Sequence, residues 1–431
     1  MADILITRLE AHSPAIAELL RVSGAPGLSY GIIHHGRIVR TVHMGRQDFA
    51  FPECPNDNSI YYVASTFKVV TAAIVARLVT DGLLAWDTPI HQYLPTLRRT
   101  DDFGQNATLK DLLSNRTGLP MANCYWGQQN GEQLIEKSQF LEMVNCIDAV
   151  EPMRSSFIYS QWNYALIQLI VERVAAKSFA DYAREVVFEP LGLTTATFDE
   201  PASKPVQAHA CRDDGSPSYV IQNKFNSSGG LASGMGGKCS FMGSMILVPG
   251  TRSGVVVMTN ATPLMDVSDY SAQLLLAVLM DVEPPQNFLE LSHVSARMQL
   301  GWFTQIQTAL QTFKTDTPPT LPLSAYSGTY FNAHHNFKIV VTVLDTGLRM
   351  SMQGLSTAYD VKPYDGDSFY FEANRELELI DRGMWFYPFP QFRVFHFEVN
   401  DGLVSGFTWQ HDRLMDPETF TKAIIRVSSK I

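Results

Sequence analysis

The chain has 431 residues, of which 45% are hydrophobic and 18% charged, enough for two or three domains with substantial cores. A formal net charge of −10 excludes general attraction to nucleic acid or to an anionic membrane surface. The longest apolar stretches fall short of the ~20 residues that a membrane-spanning helix needs, and the first residues lack the order of a secretory signal. The expectation is therefore a cytoplasmic protein whose five cysteines are reduced thiols, neither a disulfide framework nor a zinc site.

In chain order, residues 1–24 read as an amphipathic helix. Residues 24–46, "GAPGLSYGIIHHGRIVRTVHMGR", read as two strands joined by a tight turn at His35-Gly36. A polar, Pro-containing loop follows over 47–62. Residues 66–80 form a helix with Val69, Val70, Ala73, Ile74 and Leu78 on one face, ending at Asp81-Gly82. Residues 85–198 read as helices and loops. From 243, "GSMILVPGTRSGVVVMTNA" reads as an antiparallel strand pair, with a helix after it at 269–281. Strands, a helical block, strands again and a closing helix predict an α+β arrangement, an antiparallel sheet flanked by helices. A Pro/Thr-rich linker at 312–323 separates this domain, 1–311, from a small all-β sandwich or barrel at 324–431 with turn signals every 8–12 residues.

Within "YYVASTFKVVTAAIVARLVTDGLL" (61–84), Ser65 and Lys68 stand three positions apart at the start of an apolar helix. A serine in a first helical turn gains from the helix dipole, which favours the negative charge of an oxyanion. A lysine three residues on reaches the serine oxygen from the same face. If buried, its amine is able to accept a proton near neutral pH. The same pattern also suits an ordinary solvated helix start. In "FIYSQWNYALIQLIVERV" (157–174), Tyr159 sits in a short polar turn before another apolar helix. Its phenol suits a general base beside a cation, and equally a packed ring at the edge of a core.

These segments resemble the serine β-lactamase and penicillin-binding-protein-like superfamily, on the branch of class C β-lactamases, esterases and transesterases. "VASTFKVVTAAIVARLVTDGLLAWDTPIHQYLP" is similar to its nucleophile helix, "ATLKDLLSNRTGLP" to T-x-x-x-L-L-x-H-x-S-G-L-P, and "IYSQWNYALIQLIVERV" to Y-S-N-x-G-Y-x-L-L. "VFEPLGLTTATF", "SSGGLASG" and "GSMILVPGTRSGVVVMTN" resemble later segments in the family's order, and the C-terminal part resembles a lipocalin-like β-domain. The resemblance implies Ser65 as acyl-accepting nucleophile, Lys68 as base or electrostatic partner, and Tyr159 as second base. It implies no metal or organic cofactor. Its cycle acylates Ser65 and passes the acyl group to water, a hydroxyl or an amine.

Three departures accompany it. Gln161 stands where the family has Asn, and Asn115 where it often has His; Asn115 reads as structural. The segment between the Gly-Gly-Leu box and the next strand is much shorter than in the family. Either Lys238-Cys239-Ser240 replaces the K-T-G of the family, with Ser240 or Phe241 giving the second oxyanion N–H, or Gly236-Gly237-Lys238 is only a turn joining two segments. His209, Cys211, Arg212 and Asp214 read as loop residues.

The function implied is hydrolysis or transesterification of an ester, lactone or amide of a small molecule, with secondary metabolism as the setting. A catalytically impaired binding or scaffold protein is the rival, and an acyltransferase or D-aminopeptidase-type peptidase a further enzyme reading. The expected partner is the small-molecule substrate, without nucleic acid or membrane.

Overall fold

The computed structural model describes residues 2–198, 206–220, 241–384 and 389–424. The longer helices are α1 (Ala2–Ala11), α2 (Ser13–Ser23), α3 (Lys68–Thr80), α4 (Gln161–Ala175), α5 (Val267–Met280) and α6 (Phe288–Phe313). No helix among the described residues is long and apolar enough to cross a membrane. By contacts the chain forms two units that interleave along the sequence. One comprises 1–78, 177–302 and 375–385; the other comprises 79–176, 303–374 and 386–431.

The first unit is built on a four-stranded antiparallel sheet. Its strands are β1 (Gly27–His34), β2 (Arg37–Gly45), β5 (Met242–Val248) and β6 (Ser253–Thr259), in the order β2-β1-β6-β5. The β1–β2 turn has His35 at φ 50° and Gly36 at φ 75°. Two consecutive left-handed residues make the turn whose twist matches that of paired strands. Side chains alternate along β1, so Leu28, Tyr30 and Ile32 are buried in one core with Val255 and Val257 of β6. Leu9, Ile16 and Leu19 of α1 and α2, and Leu274, Leu275 and Val278 of α5, complete that core. The N-terminal segment is two helices rather than one. Pro14 lies in the first turn of α2, where its missing N–H costs nothing, and its ring cannot continue α1. Two short strands, β3 (His209–Cys211) and β4 (Pro217–Tyr219), join β7 (Ala261–Thr262) in a small sheet of order β4-β3-β7.

The second unit contains a closed barrel of eight strands: β8 (Gly328–Phe331), β9 (Lys338–Leu344), β10 (Gly347–Met352), β11 (Tyr359–Asp365), β12 (Ser368–Tyr370), β13 (Val394–Asn400), β14 (Leu403–Trp409) and β15 (Glu418–Lys422). Neighbours in sequence pair antiparallel, and β15 closes on β8. Closure removes the exposed edges that an open sheet would present. Tyr330, Phe397, Phe407, Phe420 and Trp409 are buried and meet one another ring to ring. These bulky alternating positions make the interior a packed core.

α4 belongs to the same unit and is buried around most of its circumference. It is held by polar anchors at its start: Ser160 Oγ donates to the Pro120 carbonyl at 2.8 Å and Trp162 Nε1 to the Met121 carbonyl at 3.0 Å. The loop before it turns through Gly118 at φ +78°, where an added Cβ would lie 2.0 Å from the Glu151 carbonyl oxygen. Only glycine fits there.

Candidate functional site

Ser65 lies in a 3₁₀ turn, Ala64–Phe67, that runs directly into α3. Ala64 has φ 42°, a left-handed conformation that costs a residue with a Cβ about 1–2 kcal/mol. The chain thus enters the helix through a strained corner immediately before the serine, as strained residues do at many functional sites. Downstream, Phe67 meets Phe179, Phe188 and Phe198 edge-on at 6.5, 6.3 and 5.4 Å, which fixes the turn's rotation. The turn also packs against β5.

Lys68 Nζ is 3.0 Å from Ser65 Oγ. The lysine is only 8% exposed. Burial pulls its ammonium down to about 7, because removing water penalises the charged form. The pair therefore combines a hydroxyl at a helix N-terminus with an amine that is neutral over a useful pH range. The buried stripe of α3 is Lys68, Thr71, Ile74, Val75 and Leu78. Val69, 46% exposed, and Ala73 face outward, contrary to the face expected from apolar spacing. Hydrophobic periodicity misplaced the face because two of its inward residues, Lys68 and Thr71, are polar.

Phe241 stands just before β5, buried against Val206 and Ala208 and edge-on to Tyr62 at 5.0 Å. Lys238, Cys239 and Ser240, and with them the Gly-Gly-Leu box, lie outside the described residues. Of the residues expected in a loop, His209 and Cys211 are buried in β3. His209 packs edge-on against Phe49 at 5.1 Å, and burial lowers its imidazole pKa. Arg212 pairs with Glu376 and with Asp381 at 3.0 Å, while the buried Arg375 bonds Asp213 at 2.7 Å and the Cys211 carbonyl at 2.8 Å. Sequence alone gives no sign of that ionic cluster, since its members are over 160 residues apart.

Tyr159 and Gln161 belong to the second unit. Tyr159 is half-buried in the turn before α4, and Gln161 is the first residue of that helix and buried. The turn is built on Asn115, whose φ is 53°. The Asn115 carboxamide oxygen accepts from the Ser160 N–H at 3.2 Å and from Asn163 Nδ2 at 2.9 Å, and its carbonyl accepts from the Ile158 N–H at 3.0 Å. Thr117 Oγ1 donates to Asn163 Oδ1 at 2.9 Å. Asn115 and Asn163 thus flank Tyr159 with a closed set of buried hydrogen bonds. Asn115→Ala is expected to cost about 2–4 kcal/mol by leaving these donors unpaired. Asn115→Gly, which tolerates the backbone angle, should recover part of it; denaturant titration of both variants checks this.

Nearby, Asp111 caps Thr108 N and Oγ1 at 2.9 and 2.7 Å and receives a two-pronged contact from Arg154 at 2.8 Å on each oxygen. Burial raises its carboxyl pKa, but the bonds from Arg154 and Thr108 outweigh this and hold it below the ordinary value. No group of three or more His, Cys, Asp or Glu among the described residues is arranged to hold a metal ion.

An antiparallel sheet with a Ser-x-x-Lys pair at the mouth of a packed helix, in a chain that also carries a β-barrel, defines a protein of the β-lactamase and penicillin-binding type. The model of the Beta-lactamase family matches residues 13–233, and the chain belongs to that family. Residues 313–425 match a Domain of unknown function (DUF3471). Among curated proteins, the unguisins hydrolase ungD' of Aspergillus campestris is 28% identical over 160 residues, which cover 34% of this chain and 29% of that protein. The chain thus spans less than a third of that relative's length. Among solved structures, the octameric penicillin-binding protein homologue from Pyrococcus abyssi has a TM-score of 0.53 at 17% identity, covering 97% of this chain and 100% of that one. EstCE1, a hydrolase with promiscuous acyltransferase activity, has a TM-score of 0.51 at 14% identity, covering 65% and 98%. At these identities the two structures bear on the fold alone.

Proposed function

We propose that this protein is a serine acyl-enzyme hydrolase acting on an ester, lactone or amide of a small molecule. The observation that carries the proposal is the buried Lys68 amine, with its pKa pulled down to about 7, set 3.0 Å from Ser65 Oγ. In the neutral form, Lys68 Nζ accepts the proton of Ser65 as Oγ attacks the substrate carbonyl. The Ser65 N–H and the positive end of α3 stabilise the resulting oxyanion. Collapse expels the leaving group with a proton and leaves an ester on Ser65, which water then cleaves. On this reading Tyr159 is the second base and the Gln161 amide orients the substrate. The resemblance further assigns substrate binding to Lys238 and the second oxyanion N–H to Ser240 or Phe241. A family relative named as an unguisins hydrolase supports the reaction class, and secondary metabolism is the setting proposed.

The test is mass spectrometry of the intact protein after exposure to a fluorophosphonate and to p-nitrophenyl esters. A covalent adduct is expected on Ser65 and is expected to vanish in Ser65→Ala. A chain that no activated ester acylates would instead be a binding protein. Adding alcohols separates hydrolysis from transfer, since transfer converts free acid into a new ester.

A further inference from the structure

Ser29 and His43 face each other directly across β1 and β2, so their side chains share one face of the sheet. It is the face opposite to Leu28 and Tyr30, which are buried in the core. Ser29 Oγ lies 2.9 Å from His43 Nδ1 and 2.9 Å from the Tyr61 hydroxyl. His43 Nε2 lies 3.0 Å from Asp57 Oδ1. Four side chains therefore form one hydrogen-bonded chain, Asp57–His43–Ser29–Tyr61. Its two ends, Asp57 and Tyr61, belong to the same loop, and Tyr61 is four residues before Ser65.

A serine, a histidine and an aspartate in line invite comparison with a hydrolytic triad, but the setting differs. Ser29 is mid-strand in β1, which has β2 on one side and β6 on the other, so its N–H belongs to a sheet rather than to an oxyanion hole. Its oxygen is also shared between two partners already. With a neutral imidazole every proton has one direction. Tyr61 O–H donates to Ser29 Oγ, Ser29 O–H donates to His43 Nδ1, and His43 Nε2–H donates to the Asp57 carboxylate. Burial pushes the Tyr61 phenol up to about 12, so its hydroxyl keeps its proton.

We propose that His43 is a positioning residue for the nucleophile, holding the Asp57 end of the 57–61 loop directly and orienting Ser29, which holds the Tyr61 end, so that the chain enters the Ala64–Phe67 turn at a set angle. Other contacts complete the clamp: the Ile60 carbonyl accepts from the Val206 N–H at 3.1 Å, and Tyr61 and Tyr62 pack on Val206, Ala208 and Phe241. The consequence for catalysis rests on the reading of Ser65 as nucleophile. The pinning itself does not.

The two bonds of His43 are separable. His43→Asn places an amide oxygen near the Nδ1 position and keeps the Ser29 bond while losing the Asp57 bond; His43→Leu loses both. In the full-length chain, amide hydrogen exchange over residues 60–66 is expected to quicken about five- to tenfold in His43→Leu and much less in His43→Asn. The rate of Ser65 labelling by a fluorophosphonate at saturating probe should fall in the same order, with little change in the half-saturating concentration. Equal exchange at 60–66 in wild type and His43→Leu would overturn the proposal. Should His43→Leu fail to fold, Tyr61→Phe deletes only the hydroxyl at the far end of the chain. It should quicken the same amides, and unchanged exchange there would equally overturn the pin. Absence of labelling in the wild type would defeat the nucleophile reading alone, and the exchange measurement would still decide the pin.

Discussion

Acylation of Ser65 is expected to switch on as the pH rises through about 7, following the loss of a proton from Lys68. The sign follows from the chemistry: the ammonium form has no lone pair to accept the serine proton, and the amine has one. Lys68→Met keeps the volume and removes the base, and the rate of ester labelling should fall about 10²–10⁴-fold, the usual worth of a general base. Its residual rate should show no midpoint near 7. The same substitution should raise stability while it lowers activity. The folded-state pKa lies below the ordinary value of 10.5, so between about 7 and 10.5 the unfolded chain holds more protons than the folded one, and stability rises with pH over that window. Below about 7 the full cost of a buried ammonium is present. There Lys68→Met should be more stable than wild type by an amount of order a few kcal/mol. Denaturant titrations at pH 6 and pH 10, with labelling rates over the same range, check both signs. A variant that lost activity without gaining stability at pH 6 would mean that Lys68 is not held against its own desolvation.

The second large effect is expected in the second unit. Glu418 begins β15 and receives the Tyr125 hydroxyl and, at 2.8 Å, His411 Nε2. The His411 side chain is 1% exposed, and Tyr125 is buried and edge-on to both His411 and Phe337 at 5.1 Å. Burial, then the charge of Glu418, drives the Tyr125 phenol far above its ordinary value, which keeps it a hydrogen-bond donor. A further bond, Ala122 N–H to Asp412 Oδ2 at 2.8 Å, ties the same turn to the loop between β14 and β15. Glu418→Ala removes the acceptor that these two buried polar atoms share and should cost about 2–5 kcal/mol. Glu418→Gln, which still accepts from Tyr125, should cost markedly less. Denaturant unfolding followed by tryptophan fluorescence, through the buried Trp126 and Trp409, reads this change. Equal losses in the two variants would show that the carboxylate's charge, not its acceptor geometry, holds the cluster.

Much of the architecture was legible because local chemistry and burial agree there. The His35-Gly36 turn, the alternating β1, the strand pair around Pro249 and the helix after it all follow from period and turn residues. The small C-terminal strands follow in the same way, and the structure closes them into a barrel. Ser65 and Lys68 were legible as a pair because three helical positions bring them together whatever else the chain does. Three things were not legible in this way. The inward face of α3 was hidden by its polar members. Asn115 reads as structural from the sequence, but its partners depend on a left-handed backbone angle and on donors 45 and 48 residues away. The His43 chain joins residues from two strands and a loop.

The sequence by itself determined the contacts made within a few residues: helix starts, turn types, alternation along strands, and the placing of a lysine beside a serine. Those depend on backbone geometry that every chain shares. Tertiary structure alone decided that Lys68 is buried, and with that its proton affinity. It also decided that Glu418 meets Tyr125 across 293 residues and that Arg375 reaches Asp213 across 162. Each of these depends on water being excluded by segments distant in the chain. Neither desolvation nor long-range pairing has a period to be read.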